Sequence, residues 1–114
     1  MKMIIAYIRP SALGRVTEAL REIDGLPGMS VMEAKGFGRG REERFAEVIG
    51  ETNYFYFAAR IRIELMVPAS IAGSVVENIR QHAWTGEKGE GKIFILPLED
   101  AVRIRTNERG EAGI

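Results

Sequence analysis

One order of elements runs twice through this chain: strand, helix, strand, then the same again after a long interval. Residues 2–9 (KMIIAYIR) are apolar and β-branched and are closed by Pro10, which reads as a strand. Ser11 can cap the helix that follows, whose apolar positions Leu13, Val16, Leu20 and Ile23 recur at steps of three and four. Gly25 stands just past its last turn, where a left-handed residue is wanted. After the turn Leu26–Pro27–Gly28, residues 29–37 give a weaker strand signal. Residues 38–53 are polar and glycine-punctuated without a sustained period, and read as a long loop. From about Asn53 to Val67 the chain is strand-like again, with Ile61, Ile63, Leu65 and Val67 alternating with Arg60, Arg62, Glu64 and Met66. Pro68–Ser70 opens a second helix carrying Ile71, Val75, Ile79 and Ala83 on one face, with Gly86 past its end. The glycine-rich segment TGEKGEG leads into a strand Lys92–Leu98, and Ala101–Arg105 reads as a short final strand. The polar tail TNERGEAGI is expected to be mobile.

Two split strand–helix–strand halves make a ferredoxin-like α+β sandwich, an antiparallel four-stranded sheet with both helices on one face. Apolar side chains on the other face need a cover, and a small domain commonly uses further copies of itself. A length of 114 residues fits one domain, 1–114, with a core but not a generous one. Sixteen basic residues balance sixteen acidic ones, which argues against a dedicated nucleic-acid binder and leaves association between copies unopposed by charge. Cysteine is absent, so disulfides, thiolate metal sites and cysteine nucleophiles are excluded. No apolar run approaches the length of a membrane span, so the expectation is a cytoplasmic protein without membrane insertion.

Loops as long as 38–53 are uncommon in compact domains and often functional, which makes this one the first functional clue. The second is Gly86–Lys92, which matches G-x-x-x-x-G-K literally. It is not a P-loop: Ile93 stands where Ser or Thr should hold magnesium, and the loop runs from helix into strand rather than the reverse. What survives is a set of glycines whose backbone N–H groups can face an anion, followed by a lysine; the plainer reading is a helix end and a connection. Arg103 and Arg105 alternate with Val102 and Ile104, so on a strand both project from one face, about 7 Å apart. That pair either blunts an exposed edge or meets a polyanion. With Arg39 after the Gly36-Phe37-Gly38 turn, and Lys92, four positive groups are available for a phosphate chain. The inventory for catalysis is poor: His82 is the sole histidine, so no catalytic triad or metal set is expected.

The residues then resemble a known family, the PII signal-transduction proteins (nitrogen regulatory protein P-II). The matching pieces are KMIIAYIRP at the start, GMSVMEAKGFGR at 28–39, RIRIELMVP at 60–68, TGEKGEGKIFILPLEDAVRIRT at 85–106 and the ending GEAGI. The resemblance implies a homotrimer of ferredoxin-like subunits that is not an enzyme. ATP, ADP or AMP would bind in clefts between subunits, with magnesium left open as a companion ion. A projecting loop at about 38–56 would engage a target transporter or enzyme, through residues 38–57. By matching position, Gly36, Gly38 and Arg39 fall at the loop base lining the cleft, and Ser30 and Met66 where adenine is held. Gly89, Glu90, Gly91 and Lys92 fall in the phosphate loop, 85–92, and Arg103 and Arg105 reach the phosphates. Glu90 replaces the family's usual Asp.

The long loop departs further. Gly40 stands where the family's glutamine helps hold magnesium and 2-oxoglutarate, and Arg60 replaces the lysine that pairs with the effector's carboxylate. The tyrosine motif for uridylylation is absent; Tyr54 is off by one. The expectation is a divergent PII-like regulator without standard 2-oxoglutarate sensing or uridylylation, its second effector open. The alternatives are a standard nitrogen-regulatory PII protein, a slow nucleotide hydrolase using Glu64 or Glu90, and a purely structural trimer.

Overall fold

The computed structural model describes residues 1–38, 46–49, 52–55 and 57–114. Two strands carry the core because each alternates strictly. In β1 (Lys2–Ile8), Ile4, Ala6 and Ile8 are buried; in β5 (Ala58–Val67), Ile61, Ile63, Leu65 and Val67 are. The two pair antiparallel, Ile4 opposite Leu65 and Ala6 opposite Ile63, which puts all seven side chains on one side. Two edge strands complete the sheet in the order β2-β5-β1-β6: β2 (Ser30–Gly36) against β5, and β6 (Gly91–Pro97) against β1.

The helices cover that one side. In α1 (Leu13–Arg21) Val16 and Leu20 are fully buried; in α2 (Ala69–Ala83) Ala72, Val75, Ile79 and Ala83 face the sheet. These residues form one continuous cluster with the seven strand residues. Each large aliphatic side chain removed from water there stabilises the fold by about 1.5–3 kcal/mol. The arrangement is the ferredoxin-like α+β sandwich expected from the order of elements.

The opposite side of the sheet has no layer over it among the described residues. It carries Met3, Ile5 and Tyr7 from β1, Met32 from β2, Met66 from β5 and Phe94 and Leu96 from β6, by register. Phe94 is 48% exposed, Leu96 40% and Met32 38%, large values for side chains of this type on a sheet face.

Four local expectations need correction. Ser11 caps nothing: Pro10–Ala12 form a 3-10 turn closed by the Ala12 N–H on the Arg9 carbonyl (2.9 Å), and α1 starts at Leu13 without a side-chain cap. Residues 38–53 are not one featureless loop, because β3 (Ala46–Ile49) and β4 (Thr52–Phe55) pair antiparallel inside the interval. Four-residue strands are too short to establish a period, which is why the pattern did not declare them. The following strand accordingly begins at Ala58, not near Asn53. Arg41–Arg44 lie outside the described residues.

The fourth correction concerns the C-terminal residues. Ala101–Arg105 is not a strand: a single bridge joins Val102 to Arg109, and residues 104–106 form a turn. Asn107 takes a left-handed conformation (φ 61°) and its N–H donates to the Arg103 carbonyl at 2.7 Å, while the Arg103 N–H donates to Glu108. Local hydrogen bonds therefore won over extension. Nor does the tail trail freely, since Gly110–Gly113 wind into a 3-10 turn and the Arg103 guanidinium holds the Ile114 carbonyl at 2.8 Å.

Candidate functional site

The connection from α2 to β6 is held by side chains from both within and outside the loop. At its far end Gly91 (φ 118°) begins β6 opposite Ile8, and a Cβ there would lie 1.7 Å from the Tyr7 carbonyl oxygen. Only glycine permits that approach of backbone to backbone. At its near end the Glu90 carboxylate turns back to accept from the Thr85 N–H and, at 3.4 Å, from the Gly86 N–H. The Thr85 hydroxyl accepts the Glu87 N–H at 3.3 Å.

The middle of the loop is held from outside. Arg9, directly after β1, donates from Nε to the Gly89 carbonyl (3.2 Å), from Nη2 to the Lys88 carbonyl, and from Nη1 to Glu87 Oε2 (3.2 Å). Arg60 on β5 also approaches: its Nη2 lies 3.2 Å from where a Gly89 Cβ would be. The Arg60 guanidinium donates to the Ala59 carbonyl at 2.7 Å, and no carboxylate pairs with it among the described residues.

Beside the loop, Lys92 is exposed and stands opposite Tyr7, which in turn faces Arg62. Arg62 donates to Glu64 (2.9 Å from Nε, 2.7 Å from Nη2) and to the Tyr7 hydroxyl (2.5 Å). The Glu64 hydrogen bond, followed by the Tyr7 one, raises the Arg62 pKa above its already high ordinary value, so this cation never titrates in practice. Tyr7 meets Phe94 edge to face at 6.4 Å.

The expected site residues fall into three groups within one chain. Gly89, Glu90, Gly91 and Lys92 gather at one end of the sheet with Arg60, and Gly36 ends β2 at that same end, opposite Ala58. Ser30 begins β2 opposite Glu64, and Met66 pairs with Met3 toward the other end. Met66 is four residues along β5 from Arg62, the level of Lys92, which is about 13 Å. Arg103 and Arg105 lie on the C-terminal turn, which leaves the sheet at the Met1 end, where the Leu98 N–H bonds the Met1 carbonyl at 3.0 Å. Gly38 follows β2, while Arg39 and Gly40 lie outside the described residues.

His82 occupies a structural position. Its ring Nδ1 pairs with the Asn78 carbonyl at 2.8 Å and its own carbonyl accepts from Arg15 at 3.2 Å. Among the described residues no three His, Asp or Glu side chains gather as a metal would require. Sequence reasoning missed Arg9, which it took only as the close of the first strand. No local pattern could have found it, because its partners are about 80 positions away.

Fold and loop together define a class: a ferredoxin-like α+β domain with a glycine-rich turn between its second helix and last sheet strand. Comparison with known proteins narrows this to a family. The family described as "Nitrogen regulatory protein P-II" matches residues 1–108. The nitrogen regulatory protein P-II of Rhodospirillum rubrum is 45% identical over 111 residues, 96% of each chain. That of Azospirillum brasilense is 43% identical over the same span and coverage. The Escherichia coli K12 nitrogen regulatory protein P-II 1 is 41% identical over 115 aligned positions, covering both chains fully. The chain belongs to the nitrogen regulatory protein P-II family. It is a signalling regulator rather than an enzyme, as its named relatives are.

Proposed function

We propose that this chain is a PII-like regulator that binds ATP, ADP or AMP between its copies and signals to a target protein. The observation that carries the reading is the 85–92 turn, a built loop with backbone N–H groups and a lysine at its rim. Chain 1–114 acts as a single domain, and its cleft is completed by a second subunit of a homotrimer. Support comes from the uncovered apolar sheet face, and from the separation of the Ser30/Met66 end from the Gly89–Lys92 end within one chain. A neighbour's C-terminal turn then brings Arg103 and Arg105 to the phosphates held by the loop.

The interval of about 38–56, with Arg39 at its base, contacts a transporter or enzyme in the cytoplasm. Among the described residues no helix is long and apolar enough to cross a membrane. Different ligands favour different arrangements of this segment because they touch its base differently. Magnesium accompanies ATP as an option. Gly40 and Arg60 in place of the family's glutamine and lysine support the absence of standard 2-oxoglutarate sensing. The two carboxylates hydrolysis would need are already engaged, Glu64 by Arg62 and Glu90 by the Thr85 and Gly86 N–H groups.

Titration calorimetry with ATP, ADP and AMP on the wild type and the Arg103→Ala/Arg105→Ala double variant tests the cleft. Binding by the wild type and at least tenfold weaker binding by the variant, about 1.4 kcal/mol, is the expected result. No binding to the wild type, or equal affinity in the variant, refutes it. Micromolar 2-oxoglutarate binding with Mg-ATP would return the chain to the standard PII class.

A further inference from the structure

Arg9 grips three consecutive residues of the glycine-rich loop with one guanidinium. Each of its nitrogens takes a different acceptor: Nη1 the Glu87 carboxylate, Nη2 the Lys88 carbonyl, Nε the Gly89 carbonyl. The planar fork of arginine can make this three-point contact, and a lysine ammonium on its single stem cannot reproduce it. The anchor beneath it is firm. Arg9 follows the last residue of β1, precedes Pro10 and has its carbonyl tied to the Ala12 N–H at 2.9 Å, and its side chain is only 28% exposed.

A trans peptide points its C=O and N–H in opposite directions. With the Lys88 and Gly89 carbonyls drawn toward Arg9, the N–H groups of Gly89 and Glu90 are turned to the other side. Of these, the Gly89 N–H makes no hydrogen bond among the described residues. Arg9 commits three of its five N–H donors to the loop, and Glu87 offsets part of its charge. It is therefore well placed to shape a phosphate site.

Resting on the reading of 85–92 as a phosphate loop, we propose that Arg9 is its positioning residue. By holding the carbonyls of Lys88 and Gly89 and the carboxylate of Glu87, it keeps outward-facing N–H groups formed before the nucleotide arrives. Phosphate then meets a prepared cradle, and the ordering cost is not taken from the binding free energy.

The test combines amide hydrogen exchange on the ligand-free protein with calorimetry for ATP, ADP and AMP. The chains compared are the wild type, Arg9→Met, Arg9→Lys and Glu87→Ala. Arg9→Met should speed exchange of the 88–91 amides in the free protein and weaken ATP binding about tenfold, with β1 and β5 core amides unchanged. Arg9→Lys should recover only part of both, and Glu87→Ala, on an exposed residue that cannot threaten the core, should shift both slightly in the same direction. Weaker binding with unchanged loop exchange would make Arg9 a direct phosphate contact and overturn the proposal. Faster exchange with unchanged affinity would overturn it also, leaving the nucleotide reading intact. A wild type that binds none of the three nucleotides removes the reading and the proposal together.

Discussion

Replacing Gly91 with alanine should cost far more than a single added methyl suggests. Its Cβ would stand 1.7 Å from the Tyr7 carbonyl oxygen and 2.8 Å from the carbonyl carbon, both backbone atoms of a central strand. Ordinary contact needs about 3.4 Å, so the start of β6 would have to withdraw by roughly 1.7 Å, breaking the Ile8–Gly91 end of the ladder. The left-handed φ of 118° adds strain of about 1–2 kcal/mol or more for a residue with a Cβ. The sum is about 3–5 kcal/mol, a large share of the roughly 5–15 kcal/mol that holds such a domain. Two other glycines separate the causes. Gly25 has φ 81° but nothing within 4 Å of an added Cβ, so Gly25→Ala should cost only the strain, about 1–2 kcal/mol. Gly73, exposed in α2 with no neighbour in reach, should gain about 0.5–1 kcal/mol on becoming alanine. Urea denaturation at one fixed protein concentration measures all three. If Gly91→Ala costs no more than Gly25→Ala, the steric argument for the loop's exit is wrong.

Ile63→Ala, at a fully buried position in the central strand, should destabilise by about 2–5 kcal/mol in the same assay, and a loss under 1 kcal/mol would mean the core repacks. Phe94→Asp puts a charge on the uncovered sheet face; sedimentation should find three copies for the wild type and one for the variant, with unchanged helix content by circular dichroism. A variant still assembled would move the subunit contact elsewhere. The Arg80 guanidinium, hydrogen-bonded to Glu77, holds that carboxyl below its usual value of 4.5. Its folded pKa being depressed, the pair's contribution is complete above about 4.5 and lost as pH falls through the lowered value. Glu77→Gln should thus lower the denaturation midpoint slightly near neutrality and not at all in strong acid; a gap that persists in acid would exclude the charge as the cause.

Much of the architecture was legible because its signals are local. The alternation through 60–67 sorted buried from half-buried positions residue by residue, and of the α2 face Ile71, Val75, Ile79 and Ala83 the last three are core, Ile71 being half-buried and Ala72 taking the buried place beside it. The helix-to-strand direction of the glycine-rich segment was legible too. That direction rules out a P-loop, and the segment indeed joins α2 to β6. The short pairing of β3 with β4 was not, since four residues hold too little pattern. The C-terminal turn was misread because alternation of Val102, Arg103, Ile104 and Arg105 describes a strand only if some partner pairs along it. Among the described residues of one chain, only Arg109 does.

Tertiary structure alone decided how the loop is held. Residue types at 85–92 announced a turn able to face an anion, but which way its peptides point depends on a guanidinium about 80 positions earlier in the chain. Hydrogen-bond direction is a property of relative placement, and β1 supplies that placement only once it lies beside β6. The same holds for the division of the expected site between the two ends of the sheet. Composition and periodicity can nominate Ser30, Met66, Gly89 and Lys92, yet the strand register is what sets them apart on the sheet.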